Sequence, residues 1–138
     1  HYTQIFGGQI ETLERYAQGE GPEGTIKHAR FSLGAQDMVA MDSHVSHGLS
    51  FNEGLSLQVM CKDQAEVDRY WNALCEGGAP QPCGWLRDRF GFRWQTVPEQ
   101  LSEWMTSRDT AARERTFAAL MKMGKLDIAT LERALTAA

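Results

Sequence analysis

The feature that most constrains the fold is a hydrophobic period that changes twice between residues 55 and 98. Residues 55–61 alternate in polarity, which is typical of a strand. Residues 63–76 then carry apolar side chains at helical spacing, after Asp63 and Glu66 in a pattern that favours a helix start. Segments 83–86 and 92–97 read as short strands again. We expect these apolar side chains to be buried together where strand meets helix: Leu55, Leu57, Val59, Val67, Trp71 and Leu74.

The first part of the chain repeats the later part of this order. Residues 1–6 resemble the last turns of a helix that two glycines end, and residues 9–18, 25–33 and 38–41 predict three strands in an antiparallel meander. We therefore expect an upstream strand and helix start before His1. The order predicts an α+β fold of tandem βαβββ modules, with the first strand absent from this sequence.

After Pro98 the period becomes helical and stays so. Leu101, Trp104 and Met105 predict one short helix, and Asp109 and Asp127 predict the starts of two more. We expect residues 99–138 to be a helical extension packed on a domain formed by residues 1–98. The inner faces are predicted to be Phe117, Leu120 and Met121 in one helix, and Ile128, Leu131 and Leu135 in the next.

Composition narrows the class of protein. The 138 residues carry 14 basic and 18 acidic side chains, a net charge of −4, which leaves no electrostatic footprint for nucleic acid or an anionic membrane. No apolar run is long enough to span a membrane, and no signal peptide is visible. Three cysteines do not make a disulfide framework. We expect a soluble cytoplasmic protein.

The segment 83–98, CGWLRDRFGFRWQTVP, carries a family resemblance. Three shorter segments support it: FNE at 51–53, DRYW at 68–71 and KLDIATLE at 125–132. Together they resemble the PhnB-like branch of the vicinal-oxygen-chelate (glyoxalase) superfamily, whose members often carry the name 3-demethylubiquinone 3-methyltransferase. The resemblance implies a curved half-barrel sheet that forms a cup, a homodimer and a small-molecule ligand.

The resemblance also implies where a divalent metal would be held. The ligand of the last strand falls at Gln95, that of the fifth strand near Ser56, and that of the fourth among residues 39–42. A neutral amide and a hydroxyl are poor ligands for a transition metal, so we expect no cofactor and no tightly bound metal. The alternative is a divalent metal held by Asp42, His44 and His47, although we favour a solvent-exposed loop as the explanation of that H-x-x-H spacing.

The candidate ligand-binding residues are Ser56, Gln58, Cys83, Trp85, Trp94 and Gln95. If the strands pair as the resemblance implies, polar side chains converge in the cup beside two tryptophans, as in a small-molecule pocket. The other interpretation is an ordinary sheet face that is solvated or dimeric. Cys83 is either a thiol activated by Arg87, two residues along the same strand, or a small buried filler.

Two classes of function follow. The first is a protein that binds a small molecule without a standard metal site. The second is a metal-dependent lyase, isomerase or dioxygenase-like enzyme, or the methyltransferase of the family name. A methyltransferase needs a glycine-rich turn between strand and helix to hold a nucleotide-like cofactor, whereas Gly77-Gly78 follows a helix.

Overall fold

The computed structural model describes residues 1–137, in two compact units that divide between Leu49 and Ser50. The first unit contains α1 (Tyr2–Phe6), β1 (Ile10–Arg15), β2 (Ile26–Leu33) and β3 (Gln36–Met41). Its strands form an antiparallel sheet in the order β1-β2-β3, which confirms the predicted meander. Gly7 ends α1 in the left-handed conformation, φ 71°, as expected of a glycine at a helix end.

The second unit contains a four-stranded sheet and the helix that connects its strands. Its elements are β4 (Leu57–Cys61), α2 (Gln64–Cys75), β5 (Ala79–Pro80), β6 (Trp85–Arg87) and β7 (Arg93–Pro98). The strand order is β4-β7-β6-β5, with β4 parallel to β7 and the other pairs antiparallel. The second unit therefore follows the predicted βαβββ order.

Helix α2 begins where the sequence predicts. The Asp63 carboxylate accepts a hydrogen bond from the Glu66 amide at 2.9 Å, which satisfies one of the amides that a helix start leaves without a partner. The same helix buries one apolar face against the sheet. The buried members of the predicted cluster are Val59, Val67, Trp71 and Leu74.

Two members of that predicted cluster are exposed instead. Leu55 is 65% exposed and Leu57 is 36% exposed. Leu55 lies before the strand, and Leu57 is the first residue of β4, one of the two outer strands of the sheet. Because α2 packs more on β7 and β6 than on β4, only the later part of β4 is well covered. The prediction of a six-residue cluster is wrong at these two positions.

The C-terminal helices α3 (Leu101–Met105), α4 (Thr110–Leu120) and α5 (Ile128–Thr136) belong to the second unit. Asp109 and Asp127 cap α4 and α5 as predicted, each accepting from an amide three residues on. None of the helices in residues 1–137 is long and apolar enough to cross a membrane. A buried cluster joins these helices to the end of β7: Val97, Trp104, Leu120, Leu126 and Leu131.

The predicted inner face of α4 is wrong in two of its three residues. Phe117 and Met121 are 50% and 54% exposed, and the buried side chains are Ala112, Thr116 and Leu120. These residues recur every four positions on one side of the helix. The sequence did not reveal this buried face because alanine and threonine are only weakly hydrophobic. The large apolar side chains, Phe117 and Met121, lie one position further along the helix.

The residues described form two sheets, and neither is curled or closed. The single curved half-barrel and the grouping of residues 1–98 as one domain therefore stay predictions.

Candidate functional site

The four-stranded sheet has one covered face and one open face. Side chains alternate between the faces of a strand, and the covered face carries the buried residues Val59, Cys61, Leu86, Trp94 and Thr96. Val97 lies on the other face, beyond Gln95, and is buried in the cluster of the C-terminal helices. Gln95 is paired with Gln58 on β4 and with Trp85 on β6, and Arg93 is paired with Arg87. We call the surface formed by Gln58, Trp85, Arg87, Arg93 and Gln95, with the adjoining Ser56, the open face.

Three of the predicted ligand-binding residues form a hydrogen-bonded chain on the open face. Gln58 donates from its side-chain Nε2 to Gln95 Oε1 at 3.1 Å, and Gln95 Nε2 donates to Ser56 Oγ at 2.8 Å. Gln95 therefore uses both ends of its amide, which fixes the direction in which the group points. The structure brings these side chains together across the parallel pairing of β4 with β7.

The two tryptophans lie on opposite faces of the sheet. Trp85 is half-buried and lies directly across from Gln95, so it belongs to the open face. Trp94 is 3% exposed and pairs with Leu57 and Leu86. The structure does not bring Trp94 to the open face, because adjacent residues of a strand point in opposite directions.

A buried carboxylate holds the turn that joins β6 to β7. Asp88 is 1% exposed, and its Oδ1 accepts from the Phe90 and Phe92 amides at 2.8 and 3.0 Å. Its Oδ2 accepts from the Trp94 indole N–H at 2.8 Å. The sequence predicts a turn here but not this network, which fixes how β6 and β7 align and hence which open-face side chains are neighbours.

An ion pair at the open face was not foreseen from the sequence. Glu53 Oε1 accepts from Arg93 Nε at 2.7 Å and from Gln81 Nε2 at 3.0 Å. Arg93, whose side chain is 12% exposed, also donates from Nη1 to the Gly91 carbonyl. The FNE segment at 51–53 was the only signal for Glu53, and a segment alone does not reveal a partner 40 residues away.

Arg93 keeps Glu53 ionised. The hydrogen bond from Arg93, followed by the one from Gln81, lowers the pKa of Glu53 to about 2. A lowered pKa in the folded state means that the ion pair stabilises the fold above the ordinary value of 4.5. That contribution is lost as the pH falls through about 2. At neutral pH Glu53 is a fixed negative charge.

Cys83 lies outside the strand that was predicted to contain it. Strand β6 begins at Trp85, and Cys83 has a φ of 61°, in the left-handed region. Its amide donates to the Met123 carbonyl at 2.8 Å, and its Sγ lies 3.4 Å from Met121 Sδ. The predicted strand face shared by Cys83 and Arg87 is wrong, since Cys83 instead packs against the C-terminal cluster.

The weak metal candidates belong to the first unit and make other contacts. The His44 ring lies edge-on to Tyr16 at 5.2 Å between ring centroids, and His47 Nε2 lies 2.9 Å from Ser43 Oγ. The Asp42 backbone carbonyl accepts from the Tyr16 hydroxyl at 2.6 Å. Within residues 1–137 no three His, Cys, Asp or Glu side chains are placed to hold a metal ion.

The metal that the resemblance implies also does not fit the open face. Gln95 and Ser56 are neutral donors and are hydrogen-bonded to each other, whereas a transition metal prefers anionic or imidazole ligands. The expectation that the protein holds no tightly bound metal stays a prediction.

These features define an α+β protein with a βαβββ unit and an open polar sheet face. The chain belongs to the 3-demethylubiquinone-9 3-methyltransferase family, whose model matches residues 1–97. It is similar to a solved structure from Bacillus cereus that carries that name and the name PhnB protein, with 33% identity and a TM-score of 0.67. The match covers 70% of this chain and 84% of that chain.

A second similar structure is protein PA1353 from Pseudomonas aeruginosa, with 30% identity and a TM-score of 0.60. That match covers 71% of this chain and 84% of the other. No curated protein matches the chain. The family matches confirm the PhnB-like resemblance, and the C-terminal helices lie beyond the 97 residues of the family model.

Proposed function

We propose that this protein binds a small polar molecule on its open face, as a PhnB-like member of the glyoxalase superfamily. The observation that carries the proposal is the hydrogen-bonded chain from Gln58 through Gln95 to Ser56 beside Trp85. A few fixed polar groups next to an aromatic ring are typical of sites for small molecules. The amides recognise donors and acceptors, and the indole supplies apolar contact.

The methyltransferase of the family name is supported less well by the local structure. The connection from β4 to α2 is Lys62-Asp63, without glycine. A nucleotide-like cofactor would be expected to approach amides at such a helix start. Here Asp63 accepts from one of those amides and places a negative charge at the same point. The β4–α2 connection therefore offers little support for a nucleotide-like cofactor. We propose small-molecule binding rather than methyl transfer.

Ligand binding is testable at Gln95. A thermal-shift screen of small metabolites should yield hits that move the side-chain amide NMR signals of Gln58 and Gln95. Gln95→Leu should weaken binding about tenfold, because a buried ligand group would lose its partner. Asn72→Leu, on the exposed side of α2, is the matched control and should bind normally.

Two results would count against this proposal. One is a set of hits that bind Gln95→Leu as tightly as the unaltered protein. The other is stoichiometric metal in protein purified without a histidine tag, lost in the double variant His44→Ala, His47→Ala. That second result would favour the metal-dependent enzyme instead.

We also propose that a second copy of the chain is a partner. The strands β1 and β3 are the outer strands of the first sheet, and outer strands tend to be covered in native proteins. Exposed apolar side chains lie along them, with Ile10 at 58%, Val39 at 61% and Met41 at 75%.

Light scattering at micromolar concentration should give about twice the mass of the 15.5 kDa chain. Val39→Glu should shift the protein towards a monomer, because it places a charge on an outer strand. Phe117→Glu, at a similarly exposed site on α4, is the control and should leave the mass unchanged. A monomer at every concentration would rule out the dimer.

A further inference from the structure

We propose that the open face binds an oxyanion group of its ligand, a carboxylate or a phosphate, between Arg87 and Arg93. This inference rests on the proposed function and names the chemical class of the ligand. Its basis is the pair of positive charges on β6 and β7. These two arginines take no part in the hydrogen-bonded chain from Gln58 to Ser56.

The two arginines are direct neighbours across an antiparallel pair of strands. Arg87 on β6 is paired with Arg93 on β7, so both side chains leave the sheet on the same face. Like charges placed directly opposite each other are destabilising. An anion between them would turn this repulsion into two attractive interactions.

Among residues 1–137, only one of these two arginines has an ion-pair partner. Glu53 pairs with Arg93 through Nε, whereas Arg87 has no ion pair with any side chain in residues 1–137. Two positive charges and one negative charge leave this part of the open face with one uncompensated positive charge. Electrostatic attraction therefore favours an anionic ligand over a neutral or cationic one.

The arginines also retain hydrogen-bond donors. Arg93 directs Nε to Glu53 and Nη1 to the Gly91 carbonyl. Within the part of the chain that the structure describes, Arg93 Nη2 and the Arg87 guanidinium have no acceptor at hydrogen-bond distance. A guanidinium presents its donors in a planar fork that matches the oxygens of a carboxylate or a phosphate.

The two arginines lie next to uncharged side chains of the open face. Arg93 and Gln95 are two residues apart on β7, and Arg87 and Trp85 are two residues apart on β6. Such pairs share a face and are separated by about 7 Å along the strand. A small metabolite could place its oxyanion between the arginines while its uncharged part reaches the Gln95 amide and the Trp85 ring.

Glu53 would compete with such a ligand. It lies before β4 and its side chain is 56% exposed, whereas the Arg93 side chain is 12% exposed. The Glu53 carboxylate therefore approaches Arg93 from the solvent side. It occupies the Arg93 Nε donor, which a ligand could otherwise use. Removing its charge should strengthen anion binding, a result that a purely structural ion pair would not produce.

Inorganic phosphate and acetate are the probes, titrated separately at pH 7 and an ionic strength of about 0.1 M, where the Debye length is about 10 Å, while the NMR signals of the arginine Nε–H groups are followed. Arg87→Gln should weaken binding about tenfold, the factor that corresponds to 1.4 kcal/mol. Glu53→Gln should strengthen it at least about threefold, because a charge that competes and repels is gone.

The matched controls change the same charges elsewhere in the second unit. Arg69→Gln, on α2 beside Glu66, and Glu76→Gln, beside Arg89, should change the affinity less than about twofold, because exposed and distant charges are screened. Saturable binding of either anion with this pattern supports the proposal. Equal losses in Arg87→Gln and Arg69→Gln would mean general charge attraction only, and would overturn it. An unchanged or lower affinity in Glu53→Gln would also overturn it.

The test separates this inference from the proposed function. If metabolites move the Gln58 and Gln95 signals while neither anion moves the arginine signals, the oxyanion site is wrong and the ligand-binding face stands. If the anions bind at the arginines but no metabolite is weakened by Gln95→Leu, the oxyanion site stands and the proposed function fails.

Discussion

Replacing Asp88 with alanine should lower the free energy of unfolding by about 3–5 kcal/mol. The carboxylate is 1% exposed and accepts from the Phe90 and Phe92 amides and from the Trp94 indole N–H. The indole N–H is buried and the two amides are partly buried, and each donor left without an acceptor away from water costs about 1–3 kcal/mol. The gain from no longer burying a charge offsets part of this loss. Urea unfolding followed by tryptophan fluorescence measures the change.

Two further variants show which bonds matter. Asp88→Asn keeps an oxygen for the two amides but turns an NH2 group towards the indole N–H, so about half of the loss should remain. Trp94→Phe removes only the indole donor and keeps most of the ring, so its loss should be smaller than that of Asp88→Ala. A change below about 1 kcal/mol in Asp88→Ala would show that this network does not hold the β6–β7 turn.

Gly78→Ala is expected to be as damaging, with a loss of about 3 kcal/mol or more. An added Cβ at this position would lie 2.0 Å from the Arg87 carbonyl oxygen and 2.8 Å from the carbonyl carbon of Asp88. These are backbone atoms, so no side-chain rotation relieves the overlap, and β5 would have to separate from β6. The same shift would displace Arg87, and phosphate affinity should fall together with stability.

Gly124→Ala is the matched control for that substitution. Its added Cβ would meet only the Gln81 carbonyl oxygen at 3.7 Å and the Trp71 ring at 4.0 Å, which are ordinary contacts. Its unfolding free energy should therefore change by less than about 0.5 kcal/mol. If the two alanine variants prove equally stable, close backbone packing at Gly78 is not what joins β5 to β6.

Elements whose causes are local were predictable from the amino-acid sequence. The helix starts at Asp63, Asp109 and Asp127 were predictable because each cap bonds an amide three residues away. The meander of the first unit was equally visible, since its strands are short, alternate in polarity and follow one another along the chain. The family segment at 83–98 then indicated the strands that carry the face for which we propose ligand binding.

Contacts between side chains that are distant in sequence depend on the tertiary structure. The parallel pairing of β4 with β7 joins Gln58 to Gln95, and Glu53 reaches Arg93 across 40 residues. The same pairing made β4 an outer strand and left Leu57 exposed. Alternation shows which residues share a face, but not which face is covered. Which face is covered depends on the packing of α2. Trp94 therefore lies in the core, whereas Gln95 lies on the open face beside Trp85 and the two arginines.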